Sequence, residues 1–220
     1  MKKIVLLALA VSLSQAGLSQ EVKWGVKAGY NLSTFDGDYD GIDYVPGFHA
    51  GALSEIKLSP KFALQAELLY SQEGGKYDFE MELPTMSIEA SEKVKLGYLN
   101  MPIMAKYYVI DGFSLEAGPQ IGLLLSGKSE YDASVTIDGE TFEESGSMDI
   151  KDHMKAISYG FNFGCGYEFK NNLFFQARYH LGLSNNSKGN DNGEDEDEFS
   201  GANPDKLKNQ GFQLSVGYKF

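Results

Sequence analysis

Charged side chains occupy alternate positions in several segments of the chain, between apolar residues on either side. Such carboxylates could serve a hydrolase as general acid and base, or they could pair with the cations inside the protein. We favour a structural ion-pair network and predict no catalytic residue, because these charges point into an interior that side chains fill, and a filled interior offers a substrate no access. The carboxylates and cations concerned are Lys27, Lys57, Glu67, Lys106, Glu116, Glu168 and Arg178.

A second group of carboxylates matches the opening of a calcium-binding loop. Asp36, Asp38 and Asp40 are followed by a glycine in the pattern Asp-x-Asp-x-Asp-Gly. Gly47 stands at the twelfth position, where a bidentate glutamate belongs, so a solvated turn-rich loop is the alternative. The acidic run at 194–198 fails the same register, and it indicates a self-repelling surface loop that could bind divalent cations weakly or bridge to polysaccharide.

Other catalytic and metal-binding patterns are missing from the sequence. His49, His153 and His180 do not have the spacing of metal ligands, and no Gly-x-Ser-x-Gly motif is present. Cys165 is the single cysteine, so neither an internal disulfide nor a cysteine-rich zinc site can form. The net charge of −12, with no basic patch, argues against nucleic-acid binding. The sequence therefore predicts a protein that is not an enzyme.

The elements that position the charged residues are β-strands. At the end of the chain, apolar Phe212, Leu214, Val216, Tyr218 and Phe220 alternate with small or polar residues, as expected for a strand with two different faces. A proline at position 102 should cause a bulge or local break, because it cannot donate to a ladder. Eight such segments are predicted, at about 24–33, 48–58, 62–71, 95–109, 113–126, 159–169, 173–184 and 212–220.

The connections between these strands indicate the architecture. They are short after the second, fourth and sixth strands and long after the other strands. Together with one apolar and one polar face per strand, this pattern predicts an eight-stranded antiparallel up-and-down transmembrane β-barrel, with short periplasmic turns and long extracellular loops. The alternation at 77–83 and the Asp138-Gly139 pair predict that strands three to six extend beyond the membrane as hairpins.

The first residues have the pattern of a secretory signal. A basic start is followed by a short apolar run from Ile4 to Leu13 and then by small residues. We expect a signal peptide over 1–19, with cleavage after Ala16 or after Ser19, and a barrel domain over 20–220.

Four segments of the chain match a known family, and they are Trp24–Ser33, Tyr98–Pro102, Ala117–Gly122 and Arg178–Ser184. With these segments the chain resembles the PorT-type outer-membrane β-barrel domain family. The resemblance covers essentially the whole mature chain, and it implies an outer-membrane barrel whose aromatic C-terminal strand is read by the barrel-insertion machinery. One member type of that family assists a protein-secretion system.

These observations lead to a functional expectation. We expect a small outer-membrane barrel with a plugged polar lumen and a structural or surface-interaction role, without a cofactor apart from the calcium hypothesis. Its partners would be outer-membrane lipid, the insertion machinery, and a protein or polysaccharide at the extracellular loops. Two alternatives stay open: an accessory component of a protein-secretion system, and a soluble periplasmic ligand-binding barrel.

Overall fold

A computed structural model of the protein describes residues 22–37, 42–83, 86–137, 140–188 and 207–220. The expected signal peptide lies outside these residues, as does the acidic run at 194–198. Within the described residues, no helix has the length and apolar character needed to cross a membrane. The described strands are β1 (Val22–Gly37), β2 (Ile42–Lys57), β3 (Phe62–Leu83), β4 (Met86–Ile110), β5 (Phe113–Ile137), β6 (Glu140–Asp149), β7 (Ile157–Glu168), β8 (Leu173–Gly182) and β9 (Leu207–Lys219).

Eight of these strands close into a ring. The antiparallel order is β1-β2-β3-β4-β5-β7-β8-β9, and the ring closes where β1 pairs with β9. The predicted eight-stranded up-and-down barrel is confirmed. Closure leaves no open sheet edge in the ring, so each ring strand hydrogen-bonds on both sides.

β6 is a ninth strand that lies outside the ring. It pairs with the outer half of β5, from Lys128↔Asp149 to Ile137↔Glu140. β3, β4 and β5 run past the ring as long hairpin strands, in agreement with the sequence. The fourth extended strand is the separate β6 instead of a continuation of β7, because a 3-10 turn at Lys151–His153 and the residues after it return the chain to the ring.

The two faces of each strand meet opposite environments. Outward positions carry exposed apolar side chains, such as Trp24 at 63% and Phe220 at 69% exposure, whereas inward positions carry buried polar ones. Strand alternation produces this arrangement because successive side chains point to opposite sides. The predicted assignment, with the apolar face outside, is the one observed.

The connections differ between the two ends of the barrel. At the turn end they span only 58–61, 111–112 and 169–172. Gly112 has φ +82° in the second of these turns, a left-handed conformation that glycine adopts without strain. At the other end, the loop end, β1 and β2 are joined by 38–41 alone, since both strands extend through most of the predicted long loop.

Pro102 interrupts the ladder without changing its register. The β3–β4 pairing passes from Ala66↔Ile103 to Leu69↔Asn100 with no shift, and the partners in between are skipped. The expected local break is present, but the expected bulge is not at this residue. The register shifts of β4 against β5 lie between Gly97 and Tyr98 and between Tyr108 and Ile110.

Candidate functional site

The centre of the lumen is occupied by an ion-pair cluster. Glu67 on β3 accepts hydrogen bonds from Nη1 and Nη2 of Arg178 on β8, at 2.9 and 2.7 Å. Its second partner is Lys27 on β1, whose Nζ lies 2.8 Å from Glu67 Oε2. Arg178 Nε donates to Glu116 on β5, which also accepts from Gln176 at 3.1 Å. Charge-assisted and bidentate bonds of this kind are the strongest hydrogen bonds that proteins make.

A second ion-pair cluster lies closer to the turn end. Glu55 on β2 accepts from Lys106 on β4 at 2.9 Å and from Lys219 on β9 at 2.7 Å. Tyr108 donates to the same carboxylate at 2.7 Å. Lys219 continues to Glu168 at 2.7 Å. Each cluster joins four strands, so the two clusters together hold side chains from all eight strands of the ring.

The buried charges of the two clusters balance. Four carboxylates, Glu55, Glu67, Glu116 and Glu168, meet four cations, and their formal sum is zero. Burying an unpaired charge is very costly, whereas paired and hydrogen-bonded charges are tolerated. Each of the four carboxylates thus has a cationic partner inside the lumen. The four cations are Lys27, Lys106, Arg178 and Lys219.

Neutral side chains and one carboxylate, Glu73, fill the next layer toward the loop end. His49 contacts Asn31 at 2.7 Å and Ser215 at 2.8 Å, so both ring nitrogens are hydrogen-bonded. Glu73 accepts from Asn100 at 2.8 Å and from Asn209 at 2.9 Å. Asparagine amides bind the Glu73 carboxylate, whereas ammonium and guanidinium groups bind the carboxylates of the two ion-pair clusters.

An apolar cluster closes the loop end of the lumen. It combines inward side chains of three ring strands with the segment that follows β6, and its most deeply buried members are Leu96 and Tyr98. Since the ion pairs block the lumen below this cluster, the described residues form two barriers in series. At the turn end a pocket of about 690 Å³ remains, lined in part by Lys23, Tyr108 and Glu168. The members of the closing cluster are Phe35, Leu96, Tyr98, Leu124 and Met154.

The structure places all six lysine, arginine and glutamate residues of the predicted network in the lumen: Lys27, Glu67, Lys106, Glu116, Glu168 and Arg178. Lys57, also expected to pair inside, instead lies at the turn end with Nζ 5.9 Å from the Tyr108 ring centroid. Sequence reasoning left out Glu55 and Lys219, although both stand on the polar face of an identified strand. The sequence prediction also omits Glu73, because it places the end of the third strand at Ser71.

The predicted calcium site falls mostly outside the described residues. Asp36 is exposed near the end of β1, whereas Asp38 and Asp40 are not described. Within the described ranges, no group of three or more His, Cys, Asp or Glu side chains is placed to hold a metal ion. Calcium binding therefore stays a prediction. His180 bonds to Asn162 at 2.9 Å, and His153 lies in the 3-10 turn, away from His49.

A four-stranded sheet rises above the ring at the loop end. We call it the distal sheet; it consists of 76–83 of β3, 86–95 of β4, 128–137 of β5 and 140–149 of β6. Directly paired residues share a face, so the register separates its side chains into two sets. One face is acidic and carries Asp78, Glu80, Glu82, Glu89, Asp132 and Glu143.

The opposite face of the distal sheet is largely apolar and continues the lumen-facing side of the barrel wall. We call it the inner face. Half of its apolar side chains are exposed, with Phe142 at 61% and Leu83 at 51%, and the rest are half-buried. Its apolar members are Tyr77, Phe79, Met81, Leu83, Met86, Ile88, Ala90, Tyr131, Ala133, Val135, Ile137 and Phe142.

A closed barrel with an apolar outer wall and a charged, filled interior is the architecture of a transmembrane β-barrel. Residues 14–188 match the family described as outer membrane protein beta-barrel domain, and the chain belongs to that family. The protein is therefore a small barrel of the bacterial outer membrane, with its turn end in the periplasm and its distal sheet outside the cell.

Solved structures with a similar fold share little sequence with this chain. The Ail protein of Yersinia pestis is 15% identical at a TM-score of 0.44, covering 91% of this chain and 99% of its own. Neisserial surface protein A is 11% identical at a TM-score of 0.47, with the same coverages. CarO2 of Acinetobacter baumannii is 18% identical at 0.40, covering 89% and 99%. No curated protein matches the chain.

Proposed function

We propose that this protein is a non-enzymatic surface-interaction barrel whose distal sheet binds an extracellular polypeptide. The observation that carries the proposal is the inner face, which exposes a contiguous set of large apolar side chains outside the membrane. Exposed apolar patches of this kind on a folded protein are typical of interaction sites. The lumen network is structural, because its charges pair with one another.

The distal sheet also favours one mode of binding. β6 pairs with β5 through all ten of its residues, and no pairing on its other side is found among the described strands. An extended peptide can add to such an edge and gain main-chain hydrogen bonds. The edge strand carries Glu140, Glu143 and Glu144, so a partner segment that alternates apolar and basic residues fits its charge.

Synthetic peptides test this proposal with the full protein in lipid nanodiscs. Fluorescence anisotropy would follow a nine-residue peptide that alternates valine and lysine. The same peptide with proline in place of its central residue is the control for strand addition, and one with glutamate in place of lysine is the control for charge. We expect only the valine–lysine peptide to bind, and we expect Phe142→Ser to weaken this binding several-fold. Equal binding of the proline peptide would contradict strand addition.

The resemblance to the PorT-type family supports a second candidate function, an accessory role in protein secretion. The charged pocket at the turn end opens to the periplasm and is the surface that a periplasmic partner would contact. Photo-crosslinkers placed at Asn171 and at Phe142 in living cells separate the two candidates. Crosslinks at Asn171 alone would favour the secretion role, and crosslinks at Phe142 alone would favour surface binding.

Several further expectations belong with this proposal. Residues 1–19 would act as a removable signal, and mass spectrometry of the mature N-terminus would locate the cleavage after Ala16 or Ser19. Calcium binding by Asp36, Asp38 and Asp40, and cation or polysaccharide binding by 194–198, would appear as heat in calorimetric titrations. Phe220 would serve in recognition by the insertion machinery, and its removal would lower the yield of inserted protein.

A further inference from the structure

Lysine residues on the extracellular side occupy one narrow band of the described chain. Lys95 pairs directly with Lys128 on the neighbouring strand, and Lys76 pairs with Lys93 one row further out. The segment after β6 returns at the same height, since Ile150 donates to the carbonyl of Gly127. We call this set the lysine band; it comprises Lys76, Lys93, Lys95, Lys128, Lys151, Lys155, Lys188 and Lys208.

The distal sheet beyond the lysine band contains only acidic charges. Its described residues at 77–83, 86–92, 131–137 and 140–148 include nine carboxylates and neither lysine nor arginine. Water-exposed protein surfaces ordinarily carry positive and negative side chains next to each other. Inside the band, Asp43, Glu130 and Asp149 pair with Lys76, Lys93 and Lys128. Beyond the band the described sheet carries anions alone, so its cations are concentrated next to the membrane and would face a negatively charged layer there. The nine carboxylates are Asp78, Glu80, Glu82, Glu89, Glu92, Asp132, Glu140, Glu143 and Glu144.

Four members of the lysine band stand in cross-strand pairs of like charge. Lys76 faces Lys93, and Lys95 faces Lys128, on the outward side of the wall. Directly opposed like charges destabilise a sheet. Glu130 offsets part of the repulsion by contacting Lys95 at 2.6 Å and Lys128 at 3.8 Å, and Asp78 offsets another part by contacting Lys76 at 2.7 Å. A bound anion between the pairs would offset the rest.

The height of the band corresponds to the lipid headgroups. The outward row of Tyr70, Leu99 and Leu123 is apolar, and one polar row separates it from the row of Lys95 and Lys128. Each two-residue step rises about 5 Å along the membrane normal for a strand tilted by about 45°, so the row of Lys95 and Lys128, two steps out, lies about 10 Å beyond the apolar row. The interfacial layer of a bilayer is about 5–7 Å thick on each side. Long lysine side chains can reach back over the remaining distance.

We propose that the lysine band binds the phosphate groups of the glycolipid that forms the outer leaflet, the lipid A moiety of lipopolysaccharide. Lys76, Lys93, Lys95 and Lys128 form the outward-facing part of this site. The glycolipid supplies fixed anionic phosphates at the height of the cations, directly beside an apolar wall that its acyl chains would contact. The acidic distal sheet would then be held away from the same anionic layer. This binding does not depend on the peptide interaction proposed above.

Native mass spectrometry of the detergent-purified full protein tests the assignment. The probes are diphosphorylated lipid A, chemically dephosphorylated lipid A, phosphatidylglycerol and inorganic phosphate. We expect selective retention of diphosphorylated lipid A by the wild-type protein. The double variant Lys95→Gln/Lys128→Gln should lower this retention about 25-fold, since a lysine near an anionic lipid surface contributes about fivefold in affinity.

A matched variant controls for net charge. Lys61→Gln/Lys170→Gln removes the same charge from exposed turns at the periplasmic end and should retain lipid A as the wild type does. A heat-dependent gel shift establishes that both variants are folded barrels. Equal retention of dephosphorylated lipid A or phosphatidylglycerol, competition by inorganic phosphate alone, or equal losses in both variants would each overturn the proposal.

Discussion

Arg178 on β8 and Glu67 on β3 join opposite walls of the barrel. Four strand-to-strand steps separate them in either direction around the eight-stranded ring, and the guanidinium still donates two hydrogen bonds to the carboxylate, at 2.9 and 2.7 Å. Both side chains are almost fully buried, with 1% and 0% exposure. This pair therefore spans the lumen diameter, and it is the central crosslink of the polar interior.

Removal of the Arg178 side chain should destabilise the barrel strongly. Arg178→Met leaves Glu116 without its guanidinium partner, and breaking a buried pair in this way costs about 3–5 kcal/mol. Urea unfolding in lipid vesicles, followed by Trp24 fluorescence, measures the loss in the free energy of unfolding. The double variant Arg178→Met/Glu116→Gln keeps the Lys27–Glu67 pair and restores charge balance, so it should recover most of the loss. A double variant as unstable as the single one would contradict the paired-charge account.

The two barriers in the lumen should block conduction independently. In planar bilayers we expect no steady conductance from the wild-type protein. Glu55→Ala/Glu67→Ala/Lys106→Ala/Arg178→Ala opens both ion-pair clusters but leaves the apolar cluster around Leu96 and Tyr98 in place, so it should stay closed. Only the combination with Leu96→Ala and Tyr98→Ala should conduct. Conductance of the quadruple variant alone would show that the apolar cluster is not a barrier.

Much of the barrel was predictable from the sequence, because strand alternation and connection lengths carry its architecture. The inward positions of Lys27, Glu67 and Arg178 follow from alternation alone. The pairing of Arg178 with Glu67 does not follow, since it depends on which strands lie opposite each other and on how far each strand is staggered. Glu55 and Lys219 could have joined the predicted network, because both stand on the polar face of a predicted strand.

The distal sheet was harder to predict. The alternation at 77–83 predicts an extension, but the polar and glycine-rich stretch at 72–76 interrupts the pattern. The sequence therefore places the end of the third strand at Ser71, whereas β3 continues to Leu83. The separate strand β6 arises from the Asp138-Gly139 hairpin signal, but its pairing with β5 alone depends on the return segment around Met154. Of the bulge or local break predicted at Pro102, the structure shows the local break, because the ladder skips two pairs there without a change of register.

A close approach of two backbones makes Gly118 sensitive to substitution. A Cβ added at Gly118 on β5 would lie 1.9 Å from the carbonyl oxygen of Ile103, a backbone atom of β4 that cannot rotate away. Gly118→Ala should therefore lower the fraction of protein that shows the heat-dependent gel shift of a folded barrel. Gly166→Ala is the control, because its nearest neighbour is a flexible side-chain atom, Gln176 Cγ, at 3.1 Å. Similar losses for both substitutions would contradict the backbone clash.

The ionisation of Glu130 reports directly on the lysines around it. The hydrogen bond from Lys95 lowers the pKa of the Glu130 carboxyl, and the charges of Lys128 and Lys93 lower the pKa further. A lowered pKa in the folded state means that these interactions stabilise the fold above the pKa of the unfolded chain. The stabilisation is lost as the pH falls through the folded pKa.

Lys95→Gln should accordingly raise the pKa of Glu130 toward its ordinary value. Carboxyl-carbon chemical shifts in an NMR titration of the nanodisc-embedded protein measure this change, with Lys61→Gln at the opposite end as the control. Addition of diphosphorylated lipid A should raise the same pKa in the wild-type protein, because a phosphate bound by the lysines brings negative charge next to the carboxylate. A pKa that stays unchanged in Lys95→Gln would show that the Lys95–Glu130 contact does not persist in the membrane.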